Sequence, residues 1–350
     1  MDINILLIRT SSIGDIVFCL PLLSSLKKTY PKAKISWLIE RNFANLVSHD
    51  PLLDNVLLFP KEDLKKRLRK GSFLSFINIL FSFIRCLRKE RFDLVLDLQG
   101  LFRTNFITFF CRSNLKYSLG TEFPGNLLVK NIIPRKHDSN RISSEYLFLA
   151  KCLKLTTDKF NPRFYISSTI MKSSVYPADT TKEPFFVIFP FTTRRQKHWK
   201  PEFWAQLIKN LINKYKTKCI VIGSALNNEQ KILEEQLISI GVVSLVDKTN
   251  LKDLPNLIKQ SQFAVGVDTG LTHISLSIGN PTIAIFGSTR PYTNPVLSTT
   301  KVLWLGLECS PCGRNPTCNN KFSCMTEITP SIVVRHLDTL LNTNRKNKIT

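Results

Sequence analysis

Apolar residues in the first half of the chain come in short, nearly unbroken runs separated by longer stretches with helical spacing. Residues 3–8 (INILLI), 34–39, 55–59 and 94–98 have the length and continuity of strands buried on both faces. Residues 18–29 read as a helix. The pattern begins again at 185–189 (FFVIF), with further strands over 218–222, 242–246, 263–267 and 282–286. Helices are predicted over 201–215, 229–240, 251–260 and 271–278. Alternation of this kind gives parallel sheets covered by helices on both faces. Between the halves, residues 167–183 (SSTIMKSSVYPADTTKE) are polar and without period, and are expected to be a linker. The chain is therefore expected to form two doubly wound α/β domains, 1–170 and 184–350, facing each other across a cleft. Ligands would sit at the carboxyl ends of the strands.

One stretch breaks the alternation. Residues 61–91 read KEDLKKRLRK and then GSFLSFINILFSFIRCLRKER, with apolar residues at 73, 74, 76, 77, 79, 80, 81, 83 and 84 between basic clusters. An apolar run of about a dozen residues is too short for a bilayer, which needs about 20. Such a helix could lie in a membrane interface, lysines toward lipid phosphates. It could equally be a core helix with solvated ends. The start, MDINILLIRT, lacks a basic n-region and a cleavage site, and reads as a core strand of a cytoplasmic protein.

A composition of 43% hydrophobic and 21% charged residues fits a globular chain, but the net charge of +23 needs a reason. Either basic residues are spread over solvated faces, or the partner is acidic: nucleic acid, anionic lipid or a phosphorylated substrate. Nucleic acid is disfavoured as a partner, because no binding module is recognisable and the basic residues are not interleaved with stacking aromatics. No G-x-G-x-x-G follows either first strand, which argues against a nicotinamide enzyme.

Candidate chemistry follows the strands. After the first comes RTSSIGDIV, a strand–turn–helix that would suit a phosphate. It has a single glycine, Gly14, which would let the backbone turn, and its carboxylate, Asp15, is a poor neighbour for a phosphate. After FFVIF come Thr192, Thr193 and RRQKHW with Lys197, a pattern that favours an oxyanion but also occurs in ordinary turns. In VGVDTGLTHIS, a strand ends at Asp268, Thr269 and Gly270 turn the chain, and His273 lies near the start of a helix. Gly270 would let the backbone approach a ligand, and the first-turn amides would be available to a phosphate. In the plainer alternative, Asp268 caps the helix and His273 is structural. No Asp-x-Asp occurs, so a bound diphosphate would be neutralised by the protein itself rather than by a metal held on that pair. No cofactor is called for.

Nine cysteines without a secretion signal argue against a disulfide scaffold. Four crowd together in ECSPCGRNPTCNNKFSCM: Cys309, Cys312, Cys318 and Cys324. The opening C-x-x-C is compatible with tetrahedral zinc, the looser later spacing with a reduced loop or labile disulfides, and no metal ligand is assigned.

RTSSIGDIVFCLPLL, LDLQGLFRTN, PFTTRRQKHW and VDTGLTHIS resemble, in order and spacing, the lipopolysaccharide heptosyltransferases of glycosyltransferase family 9. The SSIGD and TTxxxKHW forms look closer to heptosyltransferase I than to heptosyltransferase II. The resemblance implies a GT-B fold, two Rossmann-like domains with the active site between them. It implies inverting transfer of L-glycero-D-manno-heptose from ADP-heptose to Kdo of the lipid A inner core, beside the inner face of the cytoplasmic membrane. By the same resemblance Asp15 is the general base, and Thr192, Thr193 and Lys197 hold the donor phosphates. Asp268, Thr269, Gly270 and His273 line the donor pocket, and Thr249 meets adenine through its backbone. Arg9 faces the acceptor's acidic groups, with Gln99 and Arg103 on the same side. The family's ribose-binding carboxylate falls near Asn227, so either Asn227 replaces it or Glu229 takes the part.

Overall fold

A computed structural model describes residues 2–166 and 183–346, the side chains through 344. Nearly all of the expected linker, 167–183, lies outside the described residues; only Glu183 is within them. By its contacts the chain divides into two units, one of Met1–His137 with Ser143–Phe160, the other of Asp138–Ile142 with Asn161–Thr350.

In the first unit, β1 (Asn4–Ile8), β2 (Lys34–Glu40), β3 (Asn55–Phe59), β4 (Arg91–Asp97), β5 (Arg112–Leu119) and β6 (Asn131–Ile133) form one sheet in the order β3-β2-β1-β4-β5-β6. Every pairing is parallel. Ile5, Leu6, Leu7 and Ile8 are wholly buried, so each contributes about 1.5–3 kcal/mol of transfer free energy. That explains why the first apolar run is a central strand. Helices α1 (Ile13–Cys19), α2 (Pro21–Thr29), α3 (Lys61–Arg69), α4 (Phe73–Leu87), α5 (Phe102–Phe110) and α6 (Ser144–Cys152) complete the unit. The helix expected over 18–29 is really two, because Pro21 opens α2 at a position that tolerates a missing N–H.

The second unit repeats the plan. Its strands are β7 (Phe185–Phe189), β8 (Lys218–Val221), β9 (Val243–Ser244), β10 (Ala264–Val267), β11 (Thr282–Ile285) and β12 (Thr300–Leu303), ordered β12-β11-β10-β7-β8-β9 and again all parallel. Counted from each unit's own first strand, both sheets have the order 3-2-1-4-5-6, the Rossmann order. Helices α7 (Pro201–Tyr215), α8 (Asn228–Ser239), α9 (Leu254–Gln260), α10 (Gly270–Ser277), α11 (Ser323–Thr326) and α12 (Pro330–Lys346) cover it. Trp199 and Trp204 are buried in its core, and Phe186 stacks on Phe263 at 4.9 Å.

The basic, apolar stretch of 61–91 divides into α3 and α4 around a turn at Gly71. Phe76, Ile79, Leu80, Phe83 and Leu87, at helical spacing, pack on the core of the first sheet. Leu68, Phe73, Leu74 and Phe81 stay exposed, Leu74 at 80%. One face is therefore core, as the core-helix expectation had it, and the other is an exposed apolar surface beside lysines. Among the described residues no helix is long and apolar enough to cross a membrane.

Gly266, inside β10, sets how closely α10 starts against the sheet. A β-carbon there would lie 2.3 Å from Thr272 Oγ1 and 2.8 Å from Phe189 Cδ2. Gly266→Ala should therefore cost about 1–3 kcal/mol through overpacking, read from the urea midpoint; a midpoint unchanged from wild type would refute the close packing.

Candidate active site

In an open parallel sheet the crevice opens where the strand order reverses, here between β1 and β4 and between β7 and β10. The chemistry-bearing residues cluster at these two places.

In the first unit, Arg9 and Thr10 follow β1, and both are buried. Thr10 donates its N–H and its hydroxyl to Gln99 Oε1, at 3.0 and 2.8 Å, joining the loop after β1 to the loop after β4. Asp97, closing β4, accepts from the N–H groups of Gln99 and Gly100 and from Asn105, which shapes that second loop. Ser12 precedes α1, and Asp15 Oδ2 accepts from its N–H at 3.2 Å and its hydroxyl at 2.8 Å. The same oxygen pairs with Arg9 Nη2 at 2.6 Å, while Arg9 Nη1 donates to the Leu98 carbonyl at 2.8 Å. Burial pushes the Asp15 pKa up, but the Arg9 guanidinium and the Ser12 bonds outweigh it and hold the carboxyl below its ordinary value. The Asp15 side chain remains 45% exposed, and Oδ1 has no partner among the described residues.

This arrangement alters three expectations. Arg9, at 6% exposure, faces inward onto Asp15 and Leu98, and so orients the carboxylate rather than presenting itself to a ligand. Gln99 joins strand ends. Gly14 is not among the glycines with positive φ; the turn is made by extended Ser12, and Gly14 already sits in α1. Arg103 is half-exposed, 3.9 Å from Glu40, a buried carboxylate at the end of β2 that also holds Lys61 Nζ at 2.9 Å. The sequence reading missed Glu40 and Lys61, although each lies at or just beyond the carboxyl end of an expected strand.

In the second unit the centre is Asp268, directly after β10. Its Oδ2 receives Lys197 Nζ and the Thr289 hydroxyl, each at 2.5 Å, and its Oδ1 receives His273 Nε2 at 3.1 Å. His273 Nδ1 lies 2.6 Å from the Tyr292 hydroxyl. Burial raises the Asp268 pKa, but the bond and charge from His273, followed by Lys197, outweigh it and hold the carboxyl far below 3.8.

The structure thus gathers Lys197, Asp268 and His273 into one network, to which Thr289 and Tyr292 belong as well. Asp268 binds side chains rather than capping α10. Thr269 is the extended N-cap without a side-chain capping bond, and Gly270 opens the helix without positive φ. The N–H groups of Gly270, Leu271 and Thr272 have no protein partner among the described residues, as expected of a helix start. The Thr192 carbonyl accepts from His198 at 2.9 Å and Gln230 at 2.7 Å. The Thr192 and Thr193 hydroxyls have no partner among the described residues. Asn227 is the N-cap of α8, its Oδ1 accepting from Gln230 N–H at 3.0 Å, while Glu229 is exposed in the first turn. Thr249 is half-buried in the turns after β9. All four clustered cysteines are free, and among the described residues no group of three or more His, Cys, Asp or Glu could hold a metal ion.

Both sheets are parallel and Rossmann-ordered, with a carboxylate at the crevice of one and a lysine beside an open helix start at the other. The family model for glycosyltransferase family 9 (heptosyltransferase) matches residues 80–323. The chain belongs to that family and is a glycosyltransferase. It is 26% identical over 294 residues to lipopolysaccharide heptosyltransferase 1 of Escherichia coli K12, covering 82% of this chain and 89% of that one. The family 9 glycosyltransferase structure from Veillonella parvula superposes with a TM-score of 0.80 at 17% identity, over 98% of both chains. The E. coli heptosyltransferase WaaC structure with ADP superposes with a TM-score of 0.75 at 22% identity, over 96% of this chain and 99% of that one. The fold is accordingly GT-B, as the sequence motifs implied.

Asp268 also predicts a pH dependence. Its folded pKa lies below the unfolded value, so its stabilisation is present above the unfolded pKa of about 3.9 and is lost as pH falls toward the folded value. Asp268→Asn should lose about 3 kcal/mol at neutral pH by leaving Lys197 uncompensated. It should also flatten the stability-versus-pH curve below about pH 5. Denaturant titrations at several pH values test this, and parallel wild-type and variant curves would refute it.

Proposed function

We propose that the protein transfers L-glycero-D-manno-heptose from ADP-heptose to a Kdo residue of the lipid A inner core, with inversion at the anomeric carbon. The observation that carries this reading is the division of chemistry between the two switch points. The first offers a carboxylate with one free oxygen, and the second offers Lys197, two unpaired threonine hydroxyls and open helix amides. An inverting transfer needs a base at the acceptor and charge neutralisation at the leaving group. The acceptor hydroxyl attacks the anomeric carbon, the bond to the diphosphate breaks, and its electron pair leaves with ADP. The hydroxyl proton passes to Asp15 Oδ1.

The depressed pKa of Asp15 is compatible with this task. In an oxocarbenium-like transition state the attacking hydroxyl becomes strongly acidic as its bond to carbon forms, so a weak base that is always ionised suffices. Arg9 acts through Asp15, fixing which oxygen is free. Lys197, neutralised on Asp268 when no donor is bound, turns to the diphosphate together with Thr192, Thr193 and the amides from Gly270. Thr269 and His273 shape that pocket, Thr249 meets the adenine, and Asn227 Nδ2 or Glu229 the ribose. Lys61 and Arg103 offer positive charge toward an acidic acceptor. The SSIGD and TTxxxKHW motifs favour this acceptor over the other family 9 acceptors. A donor and acceptor screen separates it from a heptosyltransferase II-like activity.

Asp15→Asn keeps a carbonyl oxygen for Ser12, so it should fold and bind ADP while transfer falls about 10²–10⁴-fold. The readout is mass-spectrometric detection of heptose on defined Kdo–lipid A, and near-normal turnover would sink the assignment.

The acceptor is a membrane lipid, and the exposed apolar face of α3 and α4 with its neighbouring Lys65, Lys66 and Arg67 suits an anionic surface at the cytoplasmic side. Reversing these three charges should reduce partition onto anionic vesicles by about a hundredfold or more, at about 1 kcal/mol per charge. Unchanged partition would leave them as solvated residues.

A further inference from the structure

The cysteine-bearing segment after β12 reaches the donor half-site through one residue. Gly313 N–H donates to the Ser288 carbonyl at 2.7 Å, and the Gly313 carbonyl accepts from Gln196 Nε2 at 2.9 Å. Gln196 is buried in the short turn Arg195–Lys197, directly before Lys197. Ser288 is buried directly before Thr289. Lys197 Nζ and the Thr289 hydroxyl are the two groups that meet on Asp268 Oδ2. Gly313 therefore joins the two turns whose side chains converge on one oxygen. Its φ is +65°, and a β-carbon added there would meet nothing within 4 Å. The glycine is thus required by backbone conformation and not by space. The segment is anchored on both sides of this contact: Ser310 Oγ donates to the Gly287 carbonyl and accepts from Trp304, and Cys324 and Met325 pack against Gly287.

We infer that Gly313 is a positioning residue of the donor site, clasping the Lys197 turn to the Thr289 turn so that both groups bear on Asp268. Its link to a nucleoside diphosphate rests on the donor reading above. The clasp acts through backbone geometry, so residues that tolerate a left-handed conformation preserve it and β-branched residues do not.

The test compares Gly313→Val with Gly313→Asn, with Gln196→Met removing the same bond from the other side. Valine and the Gln196 variant should raise the Kd for ADP about tenfold, from roughly one or two lost hydrogen bonds. The donor KM should rise by a similar factor while the acceptor KM stays unchanged. Asparagine should match wild type. The imidazole resonances of His273, which is bonded to Asp268, should shift in the valine variant and not in the asparagine variant. A folded Gly313→Val protein with wild-type ADP affinity and wild-type His273 signals would overturn the inference, as would an asparagine variant impaired as much as the valine one. The His273 readout needs no nucleotide. A wild-type protein that ignores ADP would therefore count against the donor reading and leave the clasp tested on its own.

Discussion

A parallel sheet with strand order 3-2-1-4-5-6 leaves its central strand and fourth strand connected to helices that depart in opposite directions. The loops at that point cannot cover one another, and the strand ends between them stay open. Each unit of this chain solves the resulting problem in the same way. Polar groups at the two open strand ends must be paired without being covered, and a cross-link does it: Thr10 with Gln99 and Arg9 with Leu98 in the first unit, Lys197 with Asp268 in the second. The candidate site residues lie beside these cross-links.

The two crevices use one device with different burial, and burial decides what each can do. In both, a carboxylate is matched to a cation. Asp268 has oxygens that together receive Lys197, Thr289 and His273, and its side chain is 11% exposed. It is an organiser, satisfied within the protein by these three side chains. Asp15 has a single oxygen engaged, by Ser12 and Arg9, and the other open. The buried cation beneath it fixes orientation and ionisation together. That arrangement agrees with the proton acceptor proposed above and not with a phosphate cradle.

Much of this was legible because parallel strands are read from continuous apolar runs, and the polar residues immediately after such runs are the crevice residues. Asp15, Lys197, Asp268 and His273 stood out for that reason. What could not be read is side-chain direction. Arg9 occupies a position where a basic residue could face outward, but the buried carbonyl of Leu98 and the carboxylate of Asp15 draw it inward. Asn227 has a part the sequence did not reveal: a helix begins at Asn228, and Asn227 Oδ1 supplies the acceptor its first amides need. Thr289 and Gly313 were invisible because their partners lie far off in sequence, and such pairing is tertiary. The helix over 61–91 divided because its periodicity describes faces and not breaks. The contact boundary also departs from one cut between two segments, since residues 138–142 hydrogen-bond to Asn294 of the second unit.

The charge of the chain gains meaning from these placements. Among the cations that matter chemically, Arg9 and Lys197 are neutralised by carboxylates, and Lys61 and Arg103 share the single buried charge of Glu40. A cation held on a carboxylate is oriented before a ligand arrives, and the exchange of one anion for another costs less than stripping water from a free ammonium. The remaining positive charge is carried in large part by exposed residues such as Lys65, Lys66 and Arg67, next to apolar side chains that the core does not use. Charge at the crevices is therefore local, each cation fixed by one carboxylate. The charge of Lys65, Lys66 and Arg67 on α3 is not fixed in this way among the described residues and acts as a field, which is the physical ground for the anionic surface proposed above.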